Sequence, residues 1–478
     1  MGNANPAVTE VADEVTGSHN EDGLAQGAGA LVELAQRALA RAPLALIAAA
    51  FLAYNIAHWW SAPGDDWSSI WVAAAMVAGS RTDLLYSVDP QRFTNVGDPA
   101  TWLEFASRVG REGLGHPYVH EPGFAYAMSP FAGPGTWIVS LHVLLVLNVV
   151  AVLGTVWMVG RIWAPFLLEP VPFAVVLLVL SVSEPLRYGL WLGQTTPVIL
   201  FLTVAAIALA RRHPLLAGLV LAIPVSIKIT PVLLGLWWLL DRRRWKALGA
   251  LIGGLVVLSA VQLAFVDSSV IADFISAVRH VQQTTTTGFS NQSFPGWLVD
   301  FSVSEPPGTY PTQTIPGWIS AVSTGCLLVT VAGVLLKASR LRRSGADAEH
   351  FATAGLLTAG LPFTPLSWTH YYLLLLVPAA VLLAAARRGS LHWPYLVVAA
   401  IIALNVQPLA VNGALNAATP DNIIRAQLFA GILAIIALFM LPDRVWRGRA
   451  CDEVGAPPSR SPRTVSGQSA ATLPTHGM

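Results

Sequence analysis

Apolar stretches recur along this chain, near residues 44–60, 136–160, 165–182, 196–210, 214–226, 230–240, 247–266, 316–336, 351–366, 371–386, 393–411 and 425–441. A bilayer core takes about 20 apolar residues as one helix, fewer where a helix is short or broken. Inside lipid a backbone must satisfy its own N–H and C=O groups, which leaves helices or a closed barrel. The runs are continuously apolar rather than alternating, so helices are expected. Of 478 residues, 54% are hydrophobic and 12% charged; soluble domains carry about 25% charged residues. The chain therefore reads as an all-α polytopic membrane protein with about 12 transmembrane segments, resident in the lipid bilayer of a cell membrane. A net charge of +1 supplies no field for nucleic acid. Cys326 and Cys451 cannot build a disulfide framework. Residues 1–40 have no basic n-region, so the first apolar run is expected to remain as a signal-anchor.

Basic clusters fix a sidedness. They sit at Arg37/Arg41, Arg161, Arg211-Arg212, Arg242 to Lys246, Lys337 to Arg343, Arg387-Arg388 and Arg444 to Arg449. Placing all of them in the cytoplasm satisfies the positive-inside rule, with both termini on that side. One segment forces a choice. Residues 214–240 have a basic cluster at each end and contain Pro224 and Pro231. A single span would separate the clusters, whereas a broken hairpin turning at Ser226 to Thr230 keeps both inside and sets Lys228 at the outer turn. Residues 61–135 and 267–315 then form long outer loops, and 183–195, 367–370 and 412–424 shorter ones. Residues 1–43 and 442–478 are cytoplasmic tails expected to be disordered. The first outer loop begins with an interfacial helix, since Trp67, Ile70, Trp71, Ala74 and Val77 share one helical face.

The outer face collects the unusual polar residues. Gly64-Asp65-Asp66-Trp67 comes first, with Tyr86 and His120-Glu121 further along the loop. Arg187 and Gln194 follow, then Lys228, Asn291-Gln292-Ser293 and Trp368-Thr369-His370. These are parts that glycosyl transfer from a lipid phosphate needs. A carboxylate takes the acceptor hydroxyl proton. Cations or donors hold the charge developing on the departing phosphate, for which Lys228, His370 and Arg187 are candidates. Amides and hydroxyls read sugar hydroxyls and tryptophan stacks on sugar faces, so Asp65, Tyr86, His120, Glu121, Gln194, Asn291, Gln292, Ser293 and Trp368 are candidates for substrate contact.

Each residue also has a plainer reading. Asp66 can be an N-cap and Asp65 a solvated charge. Lys228 can snorkel to headgroups, and His370 can satisfy loop carbonyls. His120 and Glu121 can pair locally, Gln194 can bond a helix end, and Asn291-Gln292-Ser293 can be turn chemistry. Adjacent Asp65-Asp66 is not a spaced Asp-x-Asp pair, and no GxGxxG, P-loop, Gly-x-Ser-x-Gly or metal-spaced His/Cys cluster occurs. No cofactor is called for.

At these residues the chain resembles glycosyltransferase family 87, polytopic GT-C enzymes that use polyprenyl-phosphate sugars, over about residues 44–441. Gly64-Asp65-Asp66-Trp67 with Leu85-Tyr86 is similar to the family's opening motif, with Asp66 in the place of the base. Gly193-Gln194, Ile227-Lys228-Ile229-Thr230-Pro231, Asn291-Gln292-Ser293 and Ser367-Trp368-Thr369-His370 are similar to further motifs. The chain departs from them at Glu121, Thr196 and Tyr371. The resemblance implies a GT-C fold and an inverting mannosyltransferase. It would take mannose from a polyprenyl monophosphate and form an α-mannoside on a lipid-linked glycan at the outer face. No metal is required, because the leaving group carries a single phosphate. An arabinofuranosyltransferase of the same fold, a lipid or sugar flippase and a non-catalytic assembly partner are the alternatives.

Overall fold

The computed structural model describes residues 42–89, 95–288, 290–301, 312–406 and 425–446. The expected tails, apart from 42–43 and 442–446, and the 412–424 turn lie outside the described residues. Among the described residues, five helical runs are long and apolar enough to cross a membrane. They are α1 (Ala42–Trp59), α5 (Trp137–Ile162), Arg242–Phe265, α14 (Gly317–Arg343) and Thr369–Gly389. A sixth arises if α6 (Pro170–Val182) and α7 (Glu184–Leu192), bent by 55°, count as one span. Five shorter apolar helices complete the set: α8 (Thr196–Leu209), α9 (Pro214–Ile227), Thr230–Leu240 containing α10 (Leu233–Leu240), α17 (Trp393–Asn405) and α18 (Ala426–Met440). Only two short antiparallel strands occur among the described residues, β1 (Thr284–Thr286) and β2 (Thr312–Thr314).

Several elements depart from the sequence expectation. Residues 184–192, expected as a loop, form α7, whose Leu186 and Leu190 are buried. Ser183, extended at φ −77° and ψ 135°, separates α7 from α6, and Pro185 has no N–H with which to continue the α6 ladder. The span expected at 351–366 is shorter: α15 runs Ala348–Ala359 and then turns. Helix α2 (Asp65–Ala78) was expected to lie in the interface with one apolar face. Instead every residue from Trp67 to Met76 is buried. Its neighbours are α3 (Pro99–Val109), α4 (Pro122–Met128) and α5. Trp67 and Trp71 do not face lipid; their indole N–H groups donate to Ser140 and Thr136 at 3.1 and 3.0 Å.

The chain does break at Lys228, which is extended (φ −141°, ψ 113°) between α9 and the 3-10 turn Thr230–Val232. Pro224 inside α9 and Pro231 after it each remove a backbone donor. The two ends of this segment are held together. Glu349, in the first turn of α15, accepts from Arg211 Nε at 2.8 Å and Arg244 Nη2 at 2.7 Å. Arg342 lies 3.7 Å from Asp241 at the same end. The segment is thus a hairpin, with a basic pole at one end of the bundle and Lys228 about 20 Å away along α9. Helix α11 (Trp245–Phe265) packs along α9, and α5 and α9 flank α8, which carries the Lys228 end's partners at its start.

Candidate active site

Two left-handed glycines bring the site together. Gly64 (φ +63°) precedes α2, and Gly193 (φ +68°) closes α7. A Cβ on Gly193 would come within 2.9 Å of Trp67 Cβ and 3.2 Å of Gly64 Cα. The Gly64 N–H donates to the Trp191 carbonyl at 3.2 Å. Backbone therefore meets backbone where α2 begins and α7 ends, which only residues without a Cβ permit at this conformation. Gly64 is the N-cap, so the expectation that Asp66 caps the helix is corrected: Asp65 and Asp66 fill its first turn. There the helix dipole favours negative charge, and the Asp66 carboxylate is available for side-chain partners.

From Asp66 a continuous polar chain runs to His370. Gln194 Nε2 donates to Asp66 Oδ2. Gln194 Oε1 accepts from Lys228 Nζ at 2.8 Å, and Thr196 Oγ1 accepts from the same ammonium at 2.9 Å. His370 Nε2 lies 3.5 Å from Lys228 Nζ. Lys228 also stands over the Tyr371 ring, 4.2 Å from its centroid. His370 is buried, and its Nδ1 has no hydrogen-bond partner among the described residues. On the other side of Asp66, His116 Nε2 approaches Oδ1 to 3.6 Å, with its side chain 40% exposed. Asp65 forms an ion pair with Arg111 at 2.7 Å, and the buried Arg111 also donates to the Gly113 carbonyl.

Lys228 opens onto a cavity of about 970 Å³. Thr196, His120, Trp368 and Tyr371 line it together with Asp83, Tyr86 and Asp273, the last on α12 (Ser268–Gln283). Tyr86 donates to the His120 carbonyl at 2.7 Å, which fixes the loop that carries His120. Burial and then the nearby Lys228 charge push the His120 imidazole down to about 4. Burial pushes the Glu121 carboxyl up, against the hydrogen bond from Gln262 of α11. Asp83 is held below the usual carboxylate range by its hydrogen bond from Arg81, so the rim stays anionic.

The structure thus joins Asp66, Gln194, Lys228 and His370, and sets Tyr86, His120 and Trp368 on the cavity. Other candidates are engaged elsewhere. Arg187 lies 3.4 Å from Glu184 on its own helix. Asn291, Gln292 and Ser293 are buried in backbone scaffolding. Asn291 bonds Thr285, the Thr286 carbonyl and the Ser367 N–H. Gln292 accepts from the first backbone N–H groups of α18, and Ser293 donates to the Pro365 carbonyl. They shape the loop that presents Trp368 and His370. Thr196, Tyr371, His116 and Arg111 touch the site and escaped the sequence reading. The first two carried a signal, as departures from the family motifs beside Gln194 and His370. His116 and Arg111 carried none, because only the path of the loop brings them to the acidic pair.

The chain belongs to glycosyltransferase family 87, whose model matches residues 118–359, about half of its length. The matched stretch includes Gln194 and Lys228; Asp66 and His370 flank it. Two curated relatives carry the same name, polyprenol-phosphate-mannose-dependent alpha-(1-2)-phosphatidylinositol mannoside mannosyltransferase. The one from Mycolicibacterium smegmatis is 27% identical over 47% of this chain and 49% of its own length. The one from Mycobacterium tuberculosis is 24% identical over 64% of this chain and 73% of its own length.

Proposed function

We propose that this protein is an integral membrane mannosyltransferase with a GT-C catalytic domain at residues 44–441. In this reading about 12 segments cross the bilayer, both tails are cytoplasmic, and the cavity faces outward. The substrates are a polyprenyl monophosphate mannose and a hydroxyl of a lipid-linked glycan. The bridge from Asp66 through the Gln194 amide to Lys228, opening on the cavity, carries this reading. The family, and the donor named for both relatives, support mannose on a polyprenyl phosphate.

The chemistry follows from the placement. The acceptor oxygen attacks the anomeric carbon as the bond from that carbon to the phosphate oxygen breaks. The leaving phosphate takes the bonding pair and is held by the Lys228 ammonium, with His370 beside it. Asp66 takes the acceptor proton, and His116, next to it and exposed, leads that proton to water. Base and phosphate cation stand at opposite ends of one amide, an arrangement that suits attack from the face opposite the leaving group. Inversion at the anomeric carbon would then convert a β-linked donor into an α-mannoside.

The test is transfer by purified protein in detergent, where no gradient exists for a transporter to use. Polyprenyl-phosphate mannose and polyprenyl-phosphate arabinose are offered in parallel. The expected outcome is an α-mannosylated product from the first alone, reduced about 10³-fold in Asp66→Asn. Transfer from the arabinose carrier alone would reassign the donor, and a wild-type rate in Asp66→Asn would remove the base.

A further inference from the structure

Residues 111–117 belong to no helix or strand, yet they pass beside the first turn of α2. No ladder of backbone hydrogen bonds fixes the path of such a segment, so side chains and close approaches must. Gly110 (φ +85°) closes α3 and turns the chain into the segment. Arg111 is the first anchor. Its side chain is 6% exposed, its guanidinium meets Asp65 Oδ1 at 2.7 Å, and it stands 5.7 Å from the ring centroid of Trp137 at the start of α5. The same guanidinium donates to the Glu112 and Gly113 carbonyls, so it folds its own segment back as it grips α2. A guanidinium presents its N–H donors in one rigid fork, which suits holding carbonyls and a carboxylate at once. Gly115 is the second anchor. A Cβ there would come within 1.9 Å of Ser68 Oγ and 3.2 Å of the Asp65 carbonyl oxygen. Ser68 is buried and its hydroxyl donates to that carbonyl at 2.6 Å, so the wall of α2 has little room to give. Tyr118, buried, holds the far end by donating its hydroxyl to the Glu121 carbonyl. His116 lies between Gly115 and this end, with Nε2 3.6 Å from Asp66 Oδ1.

We infer that Arg111 and Asp65 are positioning residues: their ion pair, with the close approach of Gly115, holds His116 against the Asp66 carboxylate. The inference rests on Asp66 as the base. With Asp65 committed to Arg111, Asp66 is the carboxylate of the pair that meets Gln194 and His116. Once Asp66 has taken the acceptor proton, the neutral His116 imidazole accepts it at Nε2 and releases a proton from Nδ1 to water, which restores the carboxylate. A relay group displaced by about 1 Å loses rate steeply. The experiment measures kcat and KM for mannose transfer by full-length protein purified in detergent, with polyprenyl-phosphate mannose as donor and octyl α-mannoside as acceptor. His116→Gln is expected to lower kcat about tenfold or more. Arg111→Met should lower it by a similar factor, with KM for the donor within about twofold in both. Residues that act through one another are not additive. Arg111→Met/His116→Gln should therefore be no slower than His116→Gln alone, whereas an Arg111 that only supported the fold of α2 would make the two losses multiply. If Arg111→Met does not fold, Gly115→Ala carries the same comparison, with a loss by itself and no further loss in the His116→Gln background. Losses that multiply, or a wild-type kcat in His116→Gln, Arg111→Met or Gly115→Ala, would overturn the inference. Asp66→Asn is measured alongside. A wild-type rate there removes the base itself, whereas an inactive Asp66→Asn beside an unaffected Arg111→Met leaves the base standing and removes the positioning pair.

Discussion

The two ends of the α9–α10 hairpin treat positive charge in opposite ways. At the basic pole Arg244, buried, and Arg211, half exposed, share the Glu349 carboxylate. At the other end the hydrogen-bond partners of Lys228 are a Gln amide, a Thr hydroxyl and an imidazole, all uncharged when His370 is neutral, beneath an aromatic face. A buried charge answered by a carboxylate is neutralised and serves the fold. A half-buried charge answered only by dipoles keeps its field, and an ionisable residue at a break between half-helices is where a membrane protein places an ion or substrate contact. The Asp66 carboxylate is joined to Lys228 only through the Gln194 amide, so carboxylate and ammonium stay separate.

Substitutions at the two ends should therefore diverge. Lys228→Met should lower kcat/KM for the polyprenyl donor about 10²–10³-fold, while Tm holds or rises, because an uncompensated charge leaves the interior. Glu349→Gln should do the reverse. Stripping the buried Arg244 of its acid should cost about 3 kcal/mol of stability, seen as a lower Tm, with kcat/KM of the folded fraction within about twofold. A Lys228→Met protein that unfolded readily at full activity would break the contrast. Gln194→Leu sharpens it: with the amide that links Asp66 to Lys228 gone, kcat in the transfer assay should fall about tenfold or more.

The smallest effect should lie at His120. Its folded imidazole titrates near 4, against about 6.5 for the unfolded side chain. Between those values the unfolded chain holds a proton that the folded chain does not. Stability must then rise with pH across that window and be lost as pH falls through it. Thermal unfolding followed from pH 7 to pH 4 should show a shallower acid loss in His120→Gln than in the wild type.

Hydropathy and charge pattern exposed the long apolar helices and the break at Lys228, because both are local properties of the chain. Helix α7 was hidden: Pro185 and Arg187 read as loop, and the i, i+4 pair Leu186 and Leu190 is too short a pattern to stand out. The burial of α2 was hidden too, since tryptophans on one face suit lipid and a protein core equally; only Ser140 on α5 and Thr136 just before it decide it. Gly64 and Gly193 were visible as motif letters, yet their mutual contact joins residues far apart in sequence. For the same reason Asn291-Gln292-Ser293 looked like sugar-reading chemistry. Amides and hydroxyls serve a substrate or a backbone equally well, and here the backbone of Pro365, Ser367 and α18 takes them.

The Glu349 clasp has a consequence for the order in which this molecule can be assembled. Glu349 follows Arg211 by 138 residues and Arg244 by 105. During synthesis the hairpin is complete while its clasp is still unmade. Helices α9 and α10 are 14 and 8 residues long, and in that interval α11 is the long neighbour already at hand, packed along α9. The joint at Lys228 is therefore built early and locked late, when α15 delivers its carboxylate to the far end.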